Sequence, residues 1–292
     1  MLNEELKNNI WIINLDKSKD RMDKIKKNFE KYDIKYNRFS AVYGKNLSNE
    51  YMEKNVNFLC KKLLCNYAMI GCASSHKYLW KQLINSNEDF YIIFEDDIEI
   101  NDKTFEIIKK IIPFFDNKEF DIDYVNLNCV NTGCSIYKTE FKIDNYEFGK
   151  PYFPLGTNSY IITKKGAQKL LNNILLTTYH VDFEILLIKF FTNFNYYASN
   201  LQITNLTYDK STIATKNDCS TLKLLDFLNL KSISWTLNEP LLTINLFFEI
   251  NLLIILLLLL FVINNYYINN NIIFWFVILE LFLITSSLIY NL

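Results

Sequence analysis

The sequence predicts an α/β fold built on a mostly parallel sheet. Short apolar runs closed by polar residues recur along the first two thirds of the chain, and stretches with apolar positions at helical spacing alternate with them. The clearest run, Phe90-Tyr91-Ile92-Ile93-Phe94, has no polar break within it and ends abruptly on acids.

Taken in order, Ile10 to Leu15 reads as a buried strand. Ser18 or Asp20 caps a helix from about Asp20 to Lys31, in which Met22, Ile25 and Phe29 fall on one face. Tyr36 to Val42 is a second strand and Gly71 to Ile84 a helix. Phe90 to Phe94 is the third strand. Thr104 to Phe115 is helical up to Pro113, where the ring ends the hydrogen-bond ladder. Tyr124 to Asn128 and Ser159 to Thr163 are the fourth and fifth strands, and helices follow over Lys165 to Ile174 and Asp182 to Phe191. No internal repeat is visible in this part.

Composition narrows the function classes. The 292 residues are 50% hydrophobic and 22% charged, which is too apolar for a disordered chain. Four prolines and six glycines exclude collagen-like and Pro/Gly-rich sequence. A formal net charge of −1 gives no electrostatic support for a nucleic-acid partner. The charge is uneven, however. No Lys or Arg lies beyond Lys231, and the only acids after that point are Glu239, Glu249 and Glu280.

The tail therefore predicts a transmembrane helical hairpin, with spans at about 241–263 and 272–290. Each is close to the roughly 20 residues that cross a hydrocarbon core. Pro240 suits the first turn of the first span, and Tyr266, Tyr267 and Trp275 suit an interfacial belt. The expected organisation is a catalytic domain over residues 1–215, a linker and juxtamembrane segment over 216–239, and the hairpin over 240–292. Ile10 to Ile13 is too short for the apolar core of a signal peptide. Lys210, Lys216, Lys223 and Lys231 place the globular part on the cytosolic side, giving a multi-pass membrane protein. Cys60, Cys65, Cys72, Cys129, Cys134 and Cys219 form no CxxC pair, so zinc is not expected, and Cys72 and Cys129 read as buried reduced thiols.

Five segments carry chemistry. Glu95-Asp96-Asp97 follows the third strand directly. Three adjacent acids repel one another, and at the carboxyl end of an α/β strand they face the ligand crevice, where clustered carboxylates suit Mg²⁺ or Mn²⁺. Asn14 to Arg21 forms a strand-to-helix turn able to meet a nucleotide. There Asp16 can bind a ribose or base group, and Arg21 can pair with a diphosphate or an acid. Gly71-Cys72-Ala73-Ser74-Ser75-His76 runs on to Trp80. It lacks a nucleophile elbow, so His76 reads as a binding or structural residue. Gly156-Thr157-Asn158 enters the fifth strand, and His180-Val181-Asp182 carries an acid that can act as a base.

In this order the motifs resemble glycosyltransferase family 25, whose pattern is NLDRSxDR, a phenylalanine before AVDG, GCxxSHxxxW, LEDD, G(T/S)xxYxI with GAxxLL, then VD. Here they are Asn14 to Arg21, Phe39 to Gly44, Gly71 to Trp80, Phe94 to Asp97, Gly156 to Leu171 and Val181-Asp182. Lys17 stands where the pattern has arginine, and Tyr43 where it has aspartate. The resemblance implies a GT-A-like, Rossmann-type nucleotide-sugar-binding domain that transfers a hexose with inversion. The implied donor is UDP-galactose, and the implied acceptor is a hydroxyl of a glycan, glycolipid or glycoprotein. It places Asn14, Asp16, Arg21, Glu95, Asp96, Gly156 and Thr157 on the donor. Asp97, with Glu95, would hold Mn²⁺ or Mg²⁺. Asp182 is the candidate general base and Glu184 the second candidate. The alternative is an inactive, membrane-anchored scaffold on the same fold, and Tyr43 is the residue that favours it.

Overall fold

The computed structural model describes residues 6–115, 120–128, 135–207, 220–228, 237, 240–244, 248–268 and 270–290. Cys129, Cys134, Cys219 and most of the expected linker lie outside them. The chain divides into two units, Met1–Asn55 with Ile70–Thr207, and Val56–Met69 with Tyr208–Leu292.

The first unit runs β1 (Ile10–Asn14), α1 (Lys19–Lys31), β2 (Asn37–Ser40), α2 (Asn49–Asn55), α3 (Tyr67–Asn85), β3 (Phe90–Glu95), β4 (Ile98–Glu99) and α4 (Thr104–Ile111). It continues through β5 (Tyr124–Asn126), β6 (Phe141–Ile143), β7 (Tyr146–Gly149), β8 (Ser159–Thr163), α5 (Lys164–Asn173), α6 (Val181–Phe191), β9 (Tyr196–Ser199) and β10 (Asn205–Leu206). Eight strands form one sheet in the order β2-β1-β3-β8-β5-β9-β7-β6. Side chains alternate across it. Ile10, Ile12, Ile92 and Phe94 pack under α1 and α4, with Phe29 edge-on to Phe94 at 5.5 Å. Ile13, Tyr91, Ile93, Tyr124, Tyr160 and Ile162 pack on the other face under α3, α5 and α6.

The sheet is mixed rather than mostly parallel. β1 pairs in parallel with β2 and β3, and β5 with β9, but β8 runs antiparallel to both of its neighbours, β3 and β5. β8 reaches the sheet after the β6–β7 hairpin, an antiparallel feature whose short strands the periodicity does not mark. The sense of β8 decides the site. Phe94, near the end of β3, is in register with Ser159, the first residue of β8. A parallel β8 would put its entry loop at the opposite edge, about 16 Å away at roughly 3.3 Å per residue.

The second unit corrects the expected membrane hairpin. Residues 240–244 and 248–251, read as the first part of a span, form antiparallel strands β11 (Pro240–Ile244) and β12 (Phe248–Asn251). Pro240 opens a strand rather than a helix. The helix between β12 and Asn264 starts only at Leu252, where Asn251 Oδ1 accepts the Ile254 amide at 3.0 Å, and it ends at Ile263. Its 12 residues reach about 18 Å at 1.5 Å per residue, short of a core of about 30 Å. In the helix Asn271–Tyr290, Val277 and Ile284 pack on Leu253 and Leu257, and Glu280 is buried and accepts the Thr221 amide. Among the described residues no helix is long and apolar enough to cross a membrane. The hairpin, the membrane contact and the multi-pass placement are therefore withdrawn. The same unit holds a disulfide, Cys60–Cys65, a pairing the cysteine spacing did not suggest, while Cys72 is a free thiol as expected. A one-turn π-helix over Cys60–Leu64 brings the two Cα atoms to 4.8 Å.

Candidate active site

The carboxyl ends of β1 and β3 and the entry to β8 meet at one point. Asn14, the last residue of β1, donates from Nδ2 to Asp96 Oδ2 at 2.6 Å and to the Ser18 carbonyl at 3.1 Å. Arg38 in β2 holds the Asn14 side-chain oxygen from Nε and NH2, at 3.0 and 2.8 Å. Ser18 is the N-cap of α1 by position, but its side chain makes no capping bond. The turn is instead fastened by Asn14. Two residues into α1, Arg21 donates from NH1 to Asp96 Oδ1, and its NH2 lies 3.8 Å from Asp97 Oδ2. That NH2 is buried and has no hydrogen-bond partner among the described residues. An orphaned guanidinium nitrogen beside a helix N-terminus is a donor set suited to a ligand anion.

Asp16 lies at the rim, 74% exposed, held by Arg38 NH2 at 2.6 Å and the Ser40 hydroxyl at 2.8 Å. These two bonds hold its carboxyl below the usual range.

The loop entering β8 ties three acids with three consecutive residues. The Gly156 amide donates to Asp182 Oδ2 at 2.9 Å, the Thr157 hydroxyl to Glu95 Oε1 at 2.8 Å, and Asn158 Nδ2 to Asp97 Oδ1 at 3.1 Å. Gly156 has φ +91°, a left-handed conformation that a side chain would strain. The Glu95 amide donates to the Asn158 carbonyl at 2.7 Å, and Thr207 closes the far side on the Asp97 carbonyl.

Electrostatics follow from this packing. Burial pushes the Glu95 carboxyl up, but His76, Thr157 and Arg21 outweigh it and hold the group below the usual range. Burial raises Asp96, with Arg21 and Asn14 opposing. Burial and the neighbouring Glu95 push Asp97 up to about 7. One guanidinium thus serves three clustered carboxylates, and one of the three is left short of positive charge. An oxygen-rich set of this kind fits a hard divalent cation. Glu95 and Asp97 are the residues able to hold it, since Asp96 is engaged by Asn14 and Arg21.

Asp182, at the start of α6, also accepts its own helix's Phe183 amide at 2.8 Å. Glu184 lies apart from the loop that Asp182 joins. It is buried, with Oε1 accepting the Thr178 amide and hydroxyl at 2.6 and 2.7 Å. Burial raises its carboxyl against the pull of Lys77. Sequence reasoning left two site residues without a role, Arg38 and Asn158, and gave His76 only an unspecific binding or structural one. Arg38 carried a signal as one of only two arginines, and Asn158 and His76 stand within the quoted motifs. Cys72, His76 and Glu95 bring ligand-type atoms within 4.8 Å of one another. Lys17 and Tyr43, two of the positions that depart from the family pattern, meet: Lys17 Nζ sits 4.3 Å from the centre of the Tyr43 ring.

Comparison with known proteins gives the family. Residues 7–185 match the model of glycosyltransferase family 25 (LPS biosynthesis protein). A "Glycosyltransferase 25 family member" of Anopheles gambiae is 28% identical over 181 residues, 56% of this chain and 28% of that protein. "Procollagen galactosyltransferase 1-A" of Xenopus laevis is 25% identical over 185 residues, 56% of this chain and 28% of that protein. The chain thus covers little more than a quarter of the length of these relatives. The crystal structure of a glycosyltransferase involved in glycosylation of the major capsid of PBCV-1 overlaps 55% of this chain and 61% of its own, at 13% identity and a TM-score of 0.31. With more than half of its length matched to the family model, and the motifs gathered at one crevice, the chain belongs to glycosyltransferase family 25.

Proposed function

We propose that the protein transfers galactose from UDP-galactose, with inversion, to a hydroxyl of a glycan, glycolipid or glycoprotein acceptor. The choice of galactose rests on relatives named procollagen galactosyltransferases. The observation that carries the site is the buried NH2 of Arg21, without a hydrogen-bond partner among the described residues, facing an acid cluster short of positive charge.

In this reading the donor diphosphate lies against Arg21 and the N-terminus of α1, and Asn14 holds Asp96 so that Arg21 stays in place. Asp16 is available at the rim to the ribose or base. Gly156 and Thr157 line the sugar side, where the positive φ of Gly156 lets backbone approach. The acceptor oxygen attacks the anomeric carbon and the bond from that carbon to the diphosphate oxygen breaks, its electron pair leaving with UDP. The acceptor proton passes to Asp182. Asp182 is favoured over Glu184 because it shares the loop that carries Thr157 to Glu95, whereas Glu184 is engaged by Thr178 and Lys77. A divalent cation (Mn²⁺ or Mg²⁺) held by Asp97 and Glu95 supplies positive charge to the leaving diphosphate when bound.

The test is a donor screen: purified protein, Mn²⁺ and a panel of nucleotide sugars, with release of nucleoside diphosphate as the readout. UDP-galactose is expected to give turnover that Asp97→Ala reduces at least about 100-fold while the melting temperature is kept. No turnover with any donor would overturn the proposal.

A further inference from the structure

His76 is wholly buried in α3, between the rings of Trp80 and Tyr160, and its Nε2 reaches Glu95 of the acid cluster. Its hydrogen bonds form a file with one consistent direction. Trp80 Nε1 can only donate, and it donates to the Tyr160 hydroxyl at 3.0 Å. The Tyr160 oxygen thereby accepts, which leaves its own proton free to point to its other partner, His76 Nδ1, at 2.8 Å. Nδ1 is then an acceptor, so the ring proton sits on Nε2. There it donates to Glu95 Oε1 at 3.3 Å. Both ends agree, since an ionised carboxylate can only accept.

We infer that the file Trp80–Tyr160–His76 fixes the His76 tautomer so that Nε2–H, together with the Thr157 hydroxyl, clamps Glu95 through Oε1 and sets the orientation of the carboxylate toward the bound cation. His76 is a positioning residue, acting through Glu95. The assignment also decides between two readings of the neighbouring Cys72, His76 and Glu95. An imidazole whose Nε2 carries a proton held on a carboxylate orients that carboxylate and does not itself ligate. Groups that orient a metal ligand in this way typically change metal affinity by about 10–100-fold when removed. The inference rests on the proposed function, because it presumes that Glu95 serves a cation.

The test begins without a variant. The chain has only two histidines, so ¹⁵N spectra of ring-labelled protein resolve both imidazoles, and His180→Gln identifies His76. The expected result is a His76 ring proton on Nε2 in the unaltered protein. A proton on Nδ1 in the unaltered protein overturns the inference. The second arm measures Mn²⁺ affinity in the presence of UDP. His76→Ala is expected to weaken it about 10–100-fold, and His76→Gln, whose amide can still donate to Glu95, to restore most of that loss at a similar melting temperature. Equal loss in both variants, or no loss in His76→Ala, overturns it. If unaltered protein binds neither UDP nor Mn²⁺, the proposed function and the cation role of the clamp both fall, while the spectrum still decides the tautomer.

Discussion

Asp97 carries the pH behaviour of the site. Its carboxyl rises from 3.8 to about 7 in the fold, through burial and the neighbouring Glu95. The folded protein therefore binds more protons than the unfolded chain between these values. Its contribution to stability is complete below about 4 and is lost as pH rises toward 7. Thermal unfolding in chelator, measured from pH 4 to 8, is expected to show a melting temperature that falls across this window, with a shallower fall in Asp97→Asn. Lys17 and Tyr43 give a second residue-scale prediction. Their cation–π contact, at 4.3 Å, joins two positions at which this chain departs from the family pattern. A double-mutant cycle with Lys17→Ala and Tyr43→Ala is expected to show a coupling of about 0.5–1 kcal/mol by chemical denaturation. Additive single effects would mean the two departures are unrelated. The contact also gives Tyr43 a local role in the loop that carries it.

At the scale of elements, most of the first unit was legible and the reasons are physical. β8 and α6 are found within one residue of their expected limits because apolar runs and helical spacing are local signals. β4, β6, β7, β9 and β10 were not legible, being two to four residues long and defined by partners distant in sequence. The acid triplet and the Asn14–Arg21 turn could be read as one site, but the tie from Asn158 to Asp97 could not, because it depends on β8 running antiparallel. The apolar tail misled for a related reason. Hydrophobicity reports burial and does not say whether lipid or protein provides it, and the strand pair 240–251 has no span signature of its own. The α3 helix supplies a prediction at this scale. A Cβ on Gly71 would lie 2.5 Å from the Val42 carbonyl and 2.8 Å from the Gly44 amide. Gly71→Ala gains up to about 1 kcal/mol of helix propensity. Overpacking against backbone costs about 1–3 kcal/mol, so a net fall in melting temperature is expected by calorimetry. An unchanged or raised melting temperature would show that the loop carrying Tyr43 yields easily.

Across the whole molecule, the site belongs to the first unit and the disulfide to the second. Cys60 and Cys65 close a loop short enough that the link is expected to contribute about 2 kcal/mol in the chain-entropy account. Replacing both by alanine is expected to lower the unfolding transition of the second unit by calorimetry and to leave UDP·Mn²⁺ binding unchanged. Loss of nucleotide binding in that variant would show that the second unit supports the site. The ladder between β3 and β8 has a different consequence, for tolerance of insertions and deletions. The entry loop to β8 is located by its pairing with β3, not by the length of chain that delivers it. Residues added or removed between Leu127 and Pro154, beyond the β6–β7 hairpin, alter the route while Gly156, Thr157 and Asn158 arrive at the same three acids. Natural length variation in this family is thus expected to concentrate there, where the chain can change without redrawing the catalytic crevice.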